Sequence, residues 1–188
     1  DALKFDFTSL SRDQKIRVVG NLPYNISTPL IFHLLDQTDQ IADMHFMLQK
    51  EVALQMTADI GKMRMLSVVV QFYGKPSIVT HVKPKSFKPV PKVYSSLIAI
   101  KPYNKPVLKV DSEKDFFRLV KLGFATPRKQ LTNSIHHGLN IPKNIALELL
   151  DKSQIDPSKR PQELSIIEWG SLYKTFKTYN LSQDRKSV

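Results

Sequence analysis

Short runs of β-branched and apolar residues alternate with segments of helical character through the first hundred residues. The runs with strand character are 15–20, 44–48, 77–82 and 95–100, helices are predicted at 27–37 and 51–58, and 66–73 fits either a helix or a strand. Strands separated by helices are typical of a mainly parallel sheet with helices on both faces. Ligands of such sheets bind beyond the carboxyl ends of the strands. We therefore expect an α/β fold whose functional site follows one of these strands.

The segment 101–106 ends this alternation, because its two prolines suit the interior of neither a helix nor a strand. Beyond it, four segments have helical character: 113–124, 128–137, 143–151 and 165–179. We therefore predict two domains, an α/β domain in residues 1–102 and a small helical domain in residues 103–180. A flexible polar tail is expected at 181–188.

The composition excludes several classes of protein. The chain has 188 residues and no cysteine, so a disulfide scaffold, a zinc ribbon and thiol catalysis are excluded. Without cysteine or spaced carboxylate pairs, we expect no metal site. A membrane helix needs about 18 consecutive apolar residues, and no such run occurs. The N-terminus also lacks the pattern of a signal peptide. We therefore expect a cytoplasmic protein with no membrane partner.

The charge of the chain is strongly positive and unevenly distributed. Lysine and arginine number 28 against 17 acidic residues, which gives a formal net charge of +11. No acidic residue occurs between Asp59 and Asp111, although ten lysines and arginines fall there. Lysines also solvate strand edges and loops. Because neutralising phosphates releases counterions, we favour a nucleic acid partner over an anionic membrane surface.

The segment 20–25 (GNLPYN) lies between a predicted strand and a predicted helix. Clusters of asparagine and proline also form ordinary turns. The alternative is methylation of an exocyclic amine on a nucleobase, whose lone pair is delocalised into the ring and weakly nucleophilic. Two acceptors on the amine hydrogens, the Asn21 side chain and the Pro23 carbonyl, would favour a pyramidal nitrogen. The Tyr24 ring could stack on the extruded base.

Four segments together resemble a known family. The segment 20–29 (GNLPYNISTP) resembles the catalytic motif of the rRNA adenine N6,N6-dimethyltransferases. The segments 47–52 (MLQKEV), 87–95 (FKPVPKVYS) and 124–133 (FATPRKQLTN) are similar to further elements of that family. The resemblance implies a Rossmann-like class I methyltransferase sheet, of which the C-terminal half is present, followed by a small all-α domain that contacts RNA.

The resemblance also implies roles for individual residues. Asn21 and the Pro23 carbonyl would hold the adenine amine, Tyr24 would stack on one face of the ring, and Phe87 would close on the other. The methyl donor would be S-adenosylmethionine. The segment 1–3 (DAL) resembles the family's third cofactor element, so Asp1 and Ala2 would contact the cofactor, with Asn21 near the transferable methyl. The glycine-rich loop and ribose-binding acid of relatives are absent, and we expect an N-terminal part to be missing from these residues.

The expected partner is small-subunit rRNA in an immature small ribosomal subunit, bound by a monomer. RNA contacts are predicted for Lys85, Lys88 and Lys92, and for Arg128 and Lys129 on the first turn of a helix. The reaction implied is dimethylation of two adjacent adenines in the 3′-terminal hairpin loop. Two alternatives stay open: a large-subunit rRNA methyltransferase of the antibiotic-resistance type, which tends to carry isoleucine in place of Leu22, and a non-catalytic assembly factor. One departure, Arg64-Met65 where relatives carry Tyr-Gly, weakens any assignment in 55–66.

Overall fold

A computed structural model describes residues 1–7, 10 and 14–184 of the chain. The chain divides into two compact units, one of residues Asp1–Ala58 with Val69–Val107 and one of Asp59–Val68 with Leu108–Val188. The domain boundary that the sequence predicts at residue 102 lies close to the boundary between Val107 and Leu108. The sequence does not predict that the segment 59–68 groups with the helical residues.

The first unit contains a four-stranded sheet. Its strands are β1 (Ile16–Asn21), β2 (Ile41–Gln49), β3 (Gly74–Val82) and β4 (Ser95–Pro102), in the order β1-β2-β4-β3. β1 and β2 are parallel, whereas β4 is antiparallel to both of its neighbours. The expectation of a mainly parallel sheet is therefore wrong for the described strands. β3 and β4 are joined by a loop rather than by a crossover helix, and a loop connects neighbouring strands in antiparallel directions.

Helices α1 (Ser27–Leu35), α2 (Lys50–Met56) and α3 (Met65–Tyr73) accompany these strands in the sequence. The ambiguous run 66–73 is thus a helix. Apolar side chains of α1 and of the strands form a buried core, and those without exposed surface include Ile31, Leu34, Met44, Leu48, Ile98 and Ile100. Because these residues leave water on folding, they fix the strand ends that carry the loops.

The second unit is helical. Its helices are α4 (Glu113–Gly123), α5 (Leu131–Leu139), α6 (Lys143–Lys152) and α7 (Ile166–Asp184). α7 continues to Asp184, so residues 181–184 are helical, and residues 185–188 lie outside the described residues. The flexibility of the tail at 181–188 stays a prediction. None of the helices in the described ranges is long and apolar enough to cross a lipid bilayer.

A capping box opens α7. The Ser165 hydroxyl accepts a hydrogen bond from the Glu168 N–H at 3.1 Å, and the Glu168 carboxylate accepts from the Ser165 N–H at 2.8 Å. The same carboxylate accepts from the Lys159 ammonium at 2.6 Å. Partial burial acts to raise the pKa of Glu168, but the hydrogen bonds from Lys159 and Ser165 outweigh it, so the pKa lies below its ordinary value.

We expect Glu168→Gln to reduce the free energy of unfolding more at pH 7 than at pH 3. The pKa of Glu168 is depressed in the folded state below its ordinary 4.5. The ionised carboxylate therefore stabilises the fold above that value, and this contribution is lost as the pH falls through the folded pKa. Urea unfolding at both pH values measures the difference. Glu148→Gln, which removes a more exposed carboxylate paired with Lys152, is the control and should change stability little at either pH.

Candidate active site

The loops at one edge of the sheet carry the candidate site. β1 ends at Asn21, which is in register with Met47 near the end of β2. The first residue of antiparallel β4, Ser95, pairs with Gln49 on one side and with Val82 on the other. The loop after β1 and the loop between β3 and β4 therefore begin at the same edge of the sheet, although more than sixty positions separate them in the sequence.

A cleft of about 310 Å³ lies at this edge. Seven residues line it: Asn21, Leu22, Pro23, Tyr24, Phe87, Pro89 and Pro91. The structure thus brings together all four residues to which the sequence assigns contact with the base. Asn21 ends β1, Pro23 and Tyr24 come from the loop that follows, and Phe87 comes from the distant loop. The lining of the cleft thus combines one side-chain amide, two aromatic rings and several prolines.

Backbone contacts hold the first loop in place. The Leu22 N–H donates to the Met47 carbonyl at 3.0 Å, and the Leu22 side chain is buried. The Pro23 carbonyl accepts from the Ile26 N–H at 3.1 Å, which uses one of its two lone pairs. On either side of buried Leu22, Asn21 and Pro23 are exposed. The Asn21 amide and the second lone pair of the Pro23 carbonyl are therefore available to a ligand.

Tyr24 is held through its backbone and through its phenol. Its backbone carbonyl accepts a hydrogen bond from the buried Ser27 hydroxyl at 3.2 Å, and its phenol oxygen lies 2.9 Å from the Ser95 hydroxyl. The ring is still 38% exposed, so part of its surface is open to a ligand. Sequence reasoning assigns no role to Ser95. The sequence feature that could have indicated one is its position at the end of the family-like segment 87–95.

Comparison with known proteins shows the family of the chain. The family model "Ribosomal RNA adenine dimethylase" matches residues 1–178. The chain belongs to the ribosomal RNA adenine dimethylase family. It is 42% identical over 175 residues to the ribosomal RNA small subunit methyltransferase A of Acinetobacter baylyi, covering 92% of this chain and 62% of that protein. It is 45% identical to the protein of the same name from Saccharophagus degradans, covering 93% and 64%. The chain thus spans about three fifths of the length of these relatives.

Solved structures of similar fold confirm the predicted class I methyltransferase architecture. A dimethyladenosine transferase from Plasmodium falciparum superposes with a TM-score of 0.74 at 26% identity, covering 95% of this chain and 70% of that one. The 23S rRNA methyltransferase ErmE superposes with a TM-score of 0.67 at 21% identity, covering 94% and 70%. The second likeness concerns the fold alone. The predicted α/β class with a following all-α part is therefore correct, and the mixed strand directions are the one correction to it.

Three lysines surround Phe87 in the sequence. Lys85 lies in a short 3₁₀ turn at 84–86, and Lys88 and Lys92 follow in the same loop. All three are exposed, and none forms an ion pair with a residue that the structure describes. The cleft therefore adjoins uncompensated positive charge on the loop that supplies its second aromatic wall.

The other predicted site residues lie apart from the cleft lining. Asp1 and Ala2 are exposed, and the Asp1 carboxylate accepts a hydrogen bond from the Leu3 N–H at 3.0 Å. Neither residue is among those lining the cleft in the described part of the chain. Arg128 and Lys129 are exposed in the turn before α5, which begins only at Leu131. Their predicted place on the first turn of a helix is therefore wrong.

The loop 59–64, which precedes α3, groups with the helical residues. Gly61 adopts a positive φ of 93°, which glycine tolerates without strain, and its N–H donates to the Gln162 carbonyl at 2.8 Å. Met63 is buried and Arg64 is exposed. The Gly61 hydrogen bond thus connects the loop to Gln162. None of the loop's described residues lines the cleft.

Proposed function

We propose that this chain belongs to an enzyme that uses S-adenosylmethionine to dimethylate N6 of two adjacent adenines in the 3′-terminal hairpin loop of small-subunit rRNA. The observation that carries the proposal is the joint lining of one cleft by Asn21, Pro23, Tyr24 and Phe87. The names of the two bacterial relatives support the small-subunit substrate. The proposed partner is the immature small ribosomal subunit in the cytoplasm, bound by a monomer.

The proposed mechanism begins with the amine. The N6 hydrogens of an extruded adenine would be accepted by the Asn21 side-chain oxygen and by the second lone pair of the Pro23 carbonyl. Both contacts favour a pyramidal nitrogen, whose lone pair then points away from the ring and is free to attack. Tyr24 and Phe87 would hold the two faces of the base, and such positioning supplies much of the rate in a two-reactant step.

Asp1, Ala2 and Asn21 are the residues proposed to contact the methyl donor. S-adenosylmethionine, when bound, would supply a methyl group from its sulfonium, and the neutral thioether would be the leaving group. The exposed Asp1 carboxylate accepts a local N–H and could accept a further hydrogen bond from the cofactor, whereas Asn21 lines the cleft. The methylated amine carries a positive charge and loses its proton readily, so water suffices as the acceptor. Because the cleft is open to solvent, we expect it to accommodate a monomethylated amine for the second transfer.

Methyl transfer to defined RNAs tests the proposal. The natural full-length protein is incubated with labelled S-adenosylmethionine and either immature small subunits or large-subunit rRNA, and the modified nucleosides are identified by mass spectrometry. We expect N6,N6-dimethyladenosine at two adjacent positions of the small-subunit rRNA. Transfer confined to large-subunit rRNA would support the antibiotic-resistance alternative, and tight binding of immature subunits without transfer would support an assembly role.

The lysines around Phe87 are expected to contact RNA phosphates. Lys88→Gln should lower the affinity for small-subunit rRNA and reduce the slope of log affinity against log salt by about 0.7–0.9, the value for one lost phosphate contact. Filter binding across a salt series measures both. Lys152→Gln, which removes the same charge from α6 where Lys152 pairs with Glu148, is the matched control. Equal effects of the two substitutions would contradict a local role for the loop. For Lys85, Lys92, Arg128 and Lys129 we propose the same kind of contact.

A further inference from the structure

The contact between Tyr24 and Ser95 joins two distant parts of the sequence. The two hydroxyl oxygens are 2.9 Å apart although 71 positions separate the residues. Ser95 is 1% exposed, so its hydroxyl is removed from water. A buried hydroxyl without a partner would be costly, and the Tyr24 phenol supplies that partner. The contact is therefore part of the folded core as well as part of the cleft.

Ser95 is a rigid anchor because of its place in the sheet. It is the first residue of β4, whose backbone pairs with β2 on one side and β3 on the other. Tyr24, in contrast, lies in the turn between β1 and α1. The long axis of a tyrosine ring runs from Cβ to the phenol oxygen. The Ser27 hydroxyl holds the Tyr24 backbone from which this axis begins, and the Ser95 hydroxyl holds the phenol oxygen at its far end.

We propose that Ser95 is a positioning residue that fixes the Tyr24 ring as the wall on which the target adenine stacks. The inference rests on the proposed function and extends it to a residue without a previous role. A ring held through its backbone and its phenol keeps a constant separation from Phe87, which comes from the other loop lining the cleft. This separation decides whether an inserted base is aligned with the acceptors on Asn21 and Pro23. Phenylalanine at position 24 would keep the aromatic surface and lose the anchor.

The neighbouring serine provides a matched control. Ser96 is also buried, with no exposed surface, and its hydroxyl lies 2.8 Å from the His81 Nδ1 atom. Successive side chains of a strand point to opposite faces, so Ser96 cannot reach Tyr24. Ser96→Ala therefore removes an equally buried hydroxyl from the same strand and leaves the Tyr24 anchor intact. A general effect of weakening β4 would appear in both serine variants.

A double-mutant cycle in the natural full-length protein tests the proposal. We expect Ser95→Ala and Tyr24→Phe each to lower kcat by about 3- to 10-fold, the range for one lost hydrogen bond, with KM little changed. The double variant should be no worse than the poorer single variant. Ser95→Thr retains a hydroxyl and should recover most of the activity, and Ser96→Ala should stay within about twofold of wild type. Melting temperatures measured in parallel separate loss of fold from loss of alignment.

A second readout is independent of methyl transfer. RNA with 2-aminopurine in place of the target adenine is bound to each variant, and quenching of its fluorescence reports stacking on Tyr24. One outcome separates the two proposals. If quenching weakens in Ser95→Ala and Tyr24→Phe but neither wild type nor any variant transfers methyl groups, the positioning role is supported and the proposed reaction is rejected. Multiplicative losses in the double variant, failure of Ser95→Thr to recover activity, or equal losses in Ser96→Ala would overturn the positioning role. A wild-type protein that neither quenches the fluorescence nor transfers methyl groups would overturn it as well.

Discussion

Asn21→Ala is expected to lower methyl transfer at least about 100-fold while RNA affinity changes by less than about twofold. The alanine removes the side-chain oxygen at the edge of the cleft and leaves the aromatic walls and the loop lysines in place. Misplacing a reacting group by about 1 Å costs on the order of 100-fold in rate, and loss of one of two acceptors leaves the amine free to rotate. Single-turnover transfer and filter binding on the same preparations measure the two quantities.

Asn25→Ala is the matched control for this experiment. Asn25 is an exposed asparagine in the same loop and does not line the cleft. We expect its loss to leave transfer nearly unchanged. If both asparagine variants lost activity equally, the loop would act through its overall conformation, and the proposed amine contact of Asn21 would be wrong. A drop in RNA affinity that accounts for the whole loss in Asn21→Ala would contradict the contact as well.

Trp169→Ala is expected to destabilise the helical unit by about 3–5 kcal/mol, the usual cost of truncating a large buried aromatic side chain. Trp169 has no exposed surface and packs against the Phe124 ring at a centroid distance of 5.6 Å. A β-carbon built on Gly123 would lie only 2.3 Å from the indole, so helix α4 approaches α7 at a glycine. The indole fills this contact closely, and its removal leaves a cavity.

Ile167→Ala is the control for this substitution. Ile167 lies two positions earlier on α7 and is 61% exposed, so its truncation should cost less than about 0.5 kcal/mol. Denaturant unfolding followed by circular dichroism compares the two variants. The indole N–H is buried without a hydrogen-bond partner among the described residues. Trp169→Phe should therefore be milder than Trp169→Ala, because it keeps an aromatic ring and removes an unsatisfied donor.

The elements of the α/β part could be predicted because their signals are local. Runs of β-branched residues and the apolar face of α1 depend on residues a few positions apart. The strand directions could not be predicted in this way. Periodicity describes which face of a strand is buried and says nothing about which strand lies beside it. The sequence places β4 after β3, whereas the sheet inserts β4 between β2 and β3.

The start of α5 shows a second limit. The pattern at 128–133 resembles a helical motif, yet the helix begins at Leu131 with Gln130 as its N-cap. The Leu131 N–H donates to the Lys159 carbonyl at 2.7 Å, a contact between residues far apart in the chain. A free N–H at a helix start needs a partner, and here the partner comes from the distant segment before α7. A tertiary contact therefore overrides the helical propensity of Arg128 and Lys129.

The candidate site likewise has one part that the sequence could predict and one part that it could not. Asn21, Pro23 and Tyr24 are close together in the sequence, and Phe87 belongs to a second recognisable segment, so their shared cleft could be predicted. The anchor of the Tyr24 ring could not, because the phenol reaches a serine that becomes its neighbour only when β4 has entered the sheet.

The connection between β3 and β4 carries two properties at once. Residues 83–94 include the aromatic wall at Phe87 and the cations at Lys85, Lys88 and Lys92, whereas the proposed amine acceptors lie at the end of β1 and in the loop after it. The ends of this connection are fixed by the register of Val82 with Ser95. The connection can therefore be exchanged as one unit. Under the proposed function, a graft of this connection from a relative would change the loop charge and the fit of the base together, and would leave the proposed amine acceptors of the host unchanged.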